Sequence, residues 1–192
     1  MIFNEALAHT AVIPQDAKYV LGFNEPNEPE QAGMTPERCA QVWPLVEQKA
    51  GNRILIGPAL NDCDTDPDMC IQWYERFFKT CPNCRVDRIA IHGYHCLPYK
   101  MIDSITKISK HFKRKIWLTE FSCKGYVSVD DDMNFMRTLI PMLEKSPYVE
   151  RYAWFDLRLA NLTGYLPNRS TNLLEQDSSK LTRLGQLYNT LR

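Results

Sequence analysis

The chain has 192 residues, 44% of them hydrophobic and 24% charged, enough apolar material for one domain with a real core, which excludes a disordered or collagen-like polypeptide. Its 23 Lys and Arg balance 23 Asp and Glu, so it lacks the positive excess that phosphate-backbone binding needs, and nucleic acid is not expected as a partner. No run of roughly 18 apolar residues occurs, so no membrane span is expected either.

From the N-terminus, residues 1–16 carry neither the basic region nor the long apolar region of a secretory signal. The first β-rich run is Tyr19-Val20-Leu21-Gly22-Phe23. Thr35, with Pro36 at the first helical position and Gly51 beyond the end, brackets a helix that Pro44 kinks. A second run spans Arg53 to Gly57 and a third Val86 to His92. The stripe Ile102, Ile105, Ile108 and Phe112 marks the next helix, and the fourth run is Lys115 to Thr119. Behind the acidic start Asp130 to Asp132, read as a solvated helix N-terminus, comes the stripe Met133, Phe135, Met136, Leu139, Ile140 and Leu143. The fifth run is Arg151 to Phe155, and Leu181, Leu184, Leu187, Tyr188 and Leu191 form the closing stripe.

Each run is short, nearly continuous and rich in β-branched or aromatic residues, as buried parallel strands are. At roughly 30 residues per unit the alternation predicts five βα units with right-handed crossovers, in a single α/β domain over residues 1–192.

Parallel α/β folds keep their working residues where strands end at the C-terminal edge. There the first run delivers Asn24-Glu25-Pro26-Asn27, the third His92-Gly93-Tyr94-His95, the fourth Glu120-Phe121-Ser122-Cys123 and the fifth Trp154-Phe155-Asp156. The first and fourth strands both end in a glutamate, and on a curved sheet strands three places apart can face one another. Two facing carboxyls are what acetal hydrolysis needs: one protonates the leaving oxygen while the other stabilises or attacks the oxocarbenium centre.

The segments Leu21 to Asn27, Val86 to Tyr94, Ile116 to Phe121 and Tyr152 to Phe155 together resemble the glycosyl hydrolase catalytic core proteins, that is, glycoside hydrolase family 128 in the retaining clan of (β/α)8 barrels. The tail, with Asn172-Leu173-Leu174 and Leu181 to Tyr188, is similar to the family's closing strand and helix. The resemblance implies an endo-β-1,3-glucanase that works by retaining double displacement on a β-glucan, as a monomer, with no cofactor and no metal, outside the cell or in a cell wall. It implies Glu25 as the acid/base after the fourth barrel strand and Glu120 as the nucleophile after the seventh. It further implies that Asn24 bonds the sugar hydroxyl beside the reacting carbon, that His92 and Tyr94 line the cleft, and that Trp154 is the stacking floor for a glucosyl ring.

Two departures from the family pattern stand out. Gly93 replaces the usual aromatic between the His and the Tyr, which is expected to remove a subsite wall. Strands one to three of the barrel have no counterpart, so a partial barrel of strands 4–8 is expected, with about 60 to 90 residues absent. Open edges at Tyr19 and Arg151 would make such a chain poorly stable. The competing expectation is a glucan-binding protein that retains the cleft without turnover.

Seven cysteines and two sequons, Asn161-Leu162-Thr163 and Asn168-Arg169-Ser170, point to an oxidising, secretory compartment. Cys81-Pro82-Asn83-Cys84 with His92 and His95 invites a zinc reading, but residues 92 and 95 face opposite sides of a strand and no second Cys pair has zinc-ribbon spacing. A disulfide is the better expectation. Cys96 and Cys123 follow consecutive strands by a few residues and are the predicted pair, with at least one of the seven thiols left over.

Overall fold

The structure, a computed structural model, describes residues 1–125, 128–158 and 171–191. Both sequons lie outside the described residues. Five parallel strands pair in sequence order: β1 (Tyr19–Leu21), β2 (Ile54–Leu60), β3 (Arg88–Gly93), β4 (Ile116–Phe121) and β5 (Val149–Trp154). Helices α2 (Pro36–Ala50), α3 (Pro67–Thr80), α4 (Pro98–Phe112), α5 (Val129–Lys145) and α6 (Arg183–Thr190) follow the strands, and α1 (Glu5–Thr10) precedes them.

The helix starts are written locally. Thr35 caps α2 through the Arg38 amide with Pro36 behind it, Asp66 caps α3 before Pro67, and Ser128 and Asp131 close a capping box on α5. Pro44 sits inside α2 as expected, and Gly51 ends it with φ +55°. The acidic start of α5 departs from the solvated reading in one residue, because Asp132 is wholly buried. No described helix is long and apolar enough to cross a membrane.

The main core lies between sheet and helices. Trp43 of α2 is fully buried edge-on to Phe23 and Phe77, and its Nε1–H donates to the Arg85 carbonyl at 2.9 Å. The sheet is curled, and its concave face carries a second cluster of Ile56, Ala59, Ala90 and Trp117 with Tyr19, Leu21 and Ile54 packed on it. The curl is tight enough for side chains of the two outer strands to meet. The Arg151 guanidinium of β5 lies 4.7 Å from the Tyr19 ring centre of β1 and 5.2 Å from that of Trp117, and donates to the Tyr19 hydroxyl at 3.0 Å.

The β1 edge is less open than the sequence suggests. Ile2 N–H donates to the Leu21 carbonyl at 2.9 Å and Asn24 N–H to the Phe3 carbonyl at 2.8 Å, so residues 2 and 3 run alongside β1. Asn4 then caps α1. This arrangement was not legible in a segment with neither strand nor helix periodicity.

Below the site, Glu150 accepts from both Nε and Nη2 of Arg88 and from Trp117 Nε1. The Arg88 bonds hold its carboxyl below the ordinary glutamate value, against the smaller opposing effect of partial burial. A lowered carboxyl contributes stability above its unfolded value and loses that contribution as pH falls through the folded one. Glu150→Gln is therefore expected to shrink the fall in melting temperature between about pH 5 and pH 3, measured by thermal unfolding across that range.

Candidate active site

Each polar residue of the site leaves the C-terminal end of a strand. Asn24 and Glu25 follow β1 in a turn where Glu25 adopts φ +40°, with its amide donating to the Ala59 carbonyl at 2.8 Å. Glu28 N–H returns to the Glu25 carbonyl at 2.9 Å and Met34 N–H to that of Pro26 at 2.9 Å, so the turn is closed on itself. A non-glycine residue at positive φ persists only where its surroundings hold it there. Asn27 ties the turn to the next loop by accepting from Asn61 N–H at 3.1 Å and donating to the Asn61 carbonyl at 3.2 Å.

On β3, Ile89 and Ile91 join the main core while Ala90 lies on the concave face, so alternation sends His92 and Tyr94 into the cleft. On β4, Trp117 is concave yet Phe121 packs on the helix side. Four residues of strict alternation would put both on one face. Register shifts between Ile91 and His92 and between Leu118 and Phe121 break the parity and aim Glu120 into the cleft.

The result is a compact chain of acids and donors. His92 Nδ1 lies 2.7 Å from Glu25 Oε1 and 3.5 Å from Glu120 Oε2, and the Tyr94 hydroxyl donates to Glu120 Oε2. One ligating atom from each of Glu25, His92 and Glu120 lies within 4.8 Å of the others. Asn24, Glu25, His92 and Tyr94 are each less than a tenth exposed, whereas a quarter of the Glu120 side chain is open. Burial, reinforced by the neighbouring Glu120 charge, pushes the Tyr94 phenol far up, so it remains a neutral donor.

Asn24 Nδ2 donates to Gln31 Oε1 at 3.3 Å, which orients its amide. Gln31 had no signal in the sequence, because its contact depends on the closed turn.

Two expectations need correction. Trp154 is 6% exposed and faces the helices: its ring sits 5.2 Å from that of Phe121 and 6.2 Å from that of Phe135, and its Nε1–H donates to the Thr171 carbonyl at 2.8 Å. It is a core aromatic. Tyr152 shares its face against Phe121, so Arg151 and Phe155 take the concave one. The Phe155 ring stands edge-on to Tyr94 with centres 5.9 Å apart, which makes it, rather than Trp154, the aromatic that β5 offers beside the cleft. Gly93 likewise does not open the cleft. A Cβ there would meet Met101 Cε at 2.7 Å and Asp64 Cβ at 2.9 Å, on the helix side.

The cysteines form three bridges, Cys63–Cys70, Cys81–Cys84 and the expected Cys96–Cys123, leaving Cys39 as a buried thiol. Cys81 and Cys84 thus bond each other. Among the described residues a second set of ligating atoms within 4.8 Å of one another comes from Asp62, Asp64 and His95. In both sets the imidazole already has a carboxylate within hydrogen-bond distance.

Residues 2–188 match the family described as glycosyl hydrolase catalytic core. Among curated relatives, alkali-sensitive linkage protein 1 of Schizosaccharomyces pombe is 27% identical over 179 residues, 88% of this chain and 32% of that protein. The chain thus spans about a third of that relative. Among solved structures, a GH128 (subgroup II) endo-beta-1,3-glucanase from Sorangium cellulosum superposes with a TM-score of 0.81 at 34% identity, over 97% of this chain and 74% of that one. A second from Pseudomonas viridiflava gives 0.78 at 28% identity, over 100% and 78%.

Proposed function

The chain belongs to the glycosyl hydrolase catalytic core family, within GH128, and from that premise we propose that it cleaves β-1,3-glucan internally by a retaining double displacement. The observation that carries the reading is the approach of the Glu25 and Glu120 carboxyls across His92, with ligating atoms within 4.8 Å. Retaining glycosidases hold their carboxyls about 5 to 5.5 Å apart, and inverting ones leave room for a water between them. The five strands read as the fourth to eighth of a (β/α)8 barrel, with Glu25 after the fourth and Glu120 after the seventh.

In the first step Glu25, protonated, gives its proton to the glycosidic oxygen while the Glu120 carboxylate attacks the anomeric carbon. The C–O bond breaks, the leaving glucan departs with a new hydroxyl, and a glucosyl ester remains on Glu120. In the second step the Glu25 carboxylate takes a proton from water, whose oxygen attacks the same carbon and frees Glu120. Two inversions restore the β configuration.

His92 Nδ1, 2.7 Å from Glu25 and 3.5 Å from Glu120, lies between the two acids and holds Glu25 in place. The Tyr94 hydroxyl restrains Glu120 for in-line attack, and Asn24, steered by Gln31, is placed for the neighbouring sugar hydroxyl. Phe155 offers the apolar face against which a glucosyl ring can lie. Family membership, the linkage-protein relative and three disulfides together support a place outside the cell or in a cell wall.

The test is release of reducing ends from laminarin. The wild-type protein is expected to release them steadily. Affinity for laminarin with no release would mean a glucan binder instead.

A further inference from the structure

We propose that Asp64, a buried acid outside the cleft, is a positioning residue that holds the Tyr94 hydroxyl on Glu120. The proposal rests on the glucanase reading for its kinetic consequence, though not for its geometry.

Asp64 is 1% exposed. A carboxylate so deep is costly to desolvate unless its oxygens are bonded, so its bonds show what it is there to hold. Oδ2 accepts the His95 backbone N–H at 3.0 Å, and Oδ1 lies 3.1 Å from His95 Nδ1. Both oxygens therefore act on the residue directly after Tyr94. The acid can lie so close because residue 93 is glycine, and a Cβ at that position would fall 2.9 Å from Asp64 Cβ. Asp64 is itself anchored. Its carbonyl accepts the Ser104 hydroxyl at 3.0 Å, and the adjacent Cys63 is bridged to Cys70.

The same stretch is gripped from its other side. His95 pairs with Cys123, Lys124 N–H donates to the Tyr94 carbonyl at 2.8 Å, and Cys96 is bonded to Cys123. Tyr94 thus sits between two clamps, one from the loop after β2 and one from the loop after β4. The β4 clamp would survive loss of Asp64, but it fixes the backbone from one side only. A misplacement of about 1 Å at a group bonded to the nucleophile can cost on the order of 10²-fold in rate.

The test compares wild type with Asp64→Ala, Asp64→Asn and His95→Ala. The first reading is the downfield ¹H resonance of the Tyr94 hydroxyl, assigned by its loss in Tyr94→Phe and independent of turnover. It is expected in the wild type, lost or moved upfield in Asp64→Ala, and restored in Asp64→Asn, whose side-chain oxygen still accepts the His95 N–H. The second reading is kinetic: kcat in Asp64→Ala falls at least about tenfold with KM within about twofold, and Asp64→Asn recovers most of it. His95→Ala keeps the backbone bond and is expected to shift the resonance in the same direction by less. It decides the matter if Asp64→Ala does not fold.

An unchanged resonance in folded Asp64→Ala, or in His95→Ala where that variant decides, overturns the proposal, as does its absence from the wild type. A fall in kcat with the resonance intact also overturns it. A wild type that releases nothing from laminarin defeats the glucanase reading instead, and the resonance comparison still decides the role of Asp64.

Discussion

Glu120→Gln is expected to reduce kcat on laminarin by about 10⁴-fold or more while leaving the melting temperature within a few degrees. The substitution keeps shape and volume but removes the charge that attacks the anomeric carbon. Glu25→Gln is expected to lose about 10²- to 10⁴-fold, the range for removing a general acid, and to lose least on an aryl glucoside whose leaving group needs no proton. The two roles also separate by product. Added azide takes the place of water in the second step of Glu25→Gln and yields the β-azide. In Glu120→Ala, whose shortened side chain leaves room for it, azide takes the place of the nucleophile and yields the α-azide. Chromatographic separation of the two azides reads the assignment. Identical products from both variants would mean that the roles are not divided as His92 and Tyr94 divide them, with Glu25 in the buried turn and Glu120 a quarter open beside the phenol.

Trp154→Ala and Phe155→Ala, one residue apart, are expected to fail in different ways. Removing Trp154 empties a core position between Phe121 and Phe135 and breaks a bond to the Thr171 carbonyl. That should cost about 3 to 5 kcal/mol and lower the melting temperature by roughly 6 to 20 °C. Removing Phe155 takes an aromatic from the cleft beside Tyr94. It should leave the melting temperature within a few degrees but weaken laminari-oligosaccharide binding by roughly 5- to 30-fold, the equivalent of about 1 to 2 kcal/mol. Thermal unfolding and calorimetric titration of the two variants read both effects. The opposite pattern would return Trp154 to the cleft.

That pair also shows where sequence stops being readable. The strands were legible because a buried parallel strand carries its apolar residues in one continuous run, and the same continuity hides which face each residue takes. β5 starts two residues earlier than the run Arg151 to Phe155 suggests, and its register against β4 shifts twice, so parity could not choose between Trp154 and Phe155. Glu25 and Glu120 were legible for another reason: a polar residue directly after such a run must lie at the strand's C-terminal edge. The five βα units imply the helix α3, but its bounds were not read, although Asp66-Pro67 and the spacing of Cys70, Ile71, Trp73, Tyr74 and Phe77 announce them. The short α1 carries too few turns to show a period. Asp64 gives no local sign at all. Its burial follows from the glycine at 93 and the helix behind it, and both lie far off along the chain.

The two-carboxylate account is tested most directly by ¹H NMR of the first sugar formed from a laminari-oligosaccharide, before mutarotation. Carboxyls this close leave no room for a water between them and sugar, so the new reducing end must appear as the β-anomer. Appearance of the α-anomer first would contradict the account, because only a single displacement by water, across a wider gap than the one between Glu25 and Glu120, produces it.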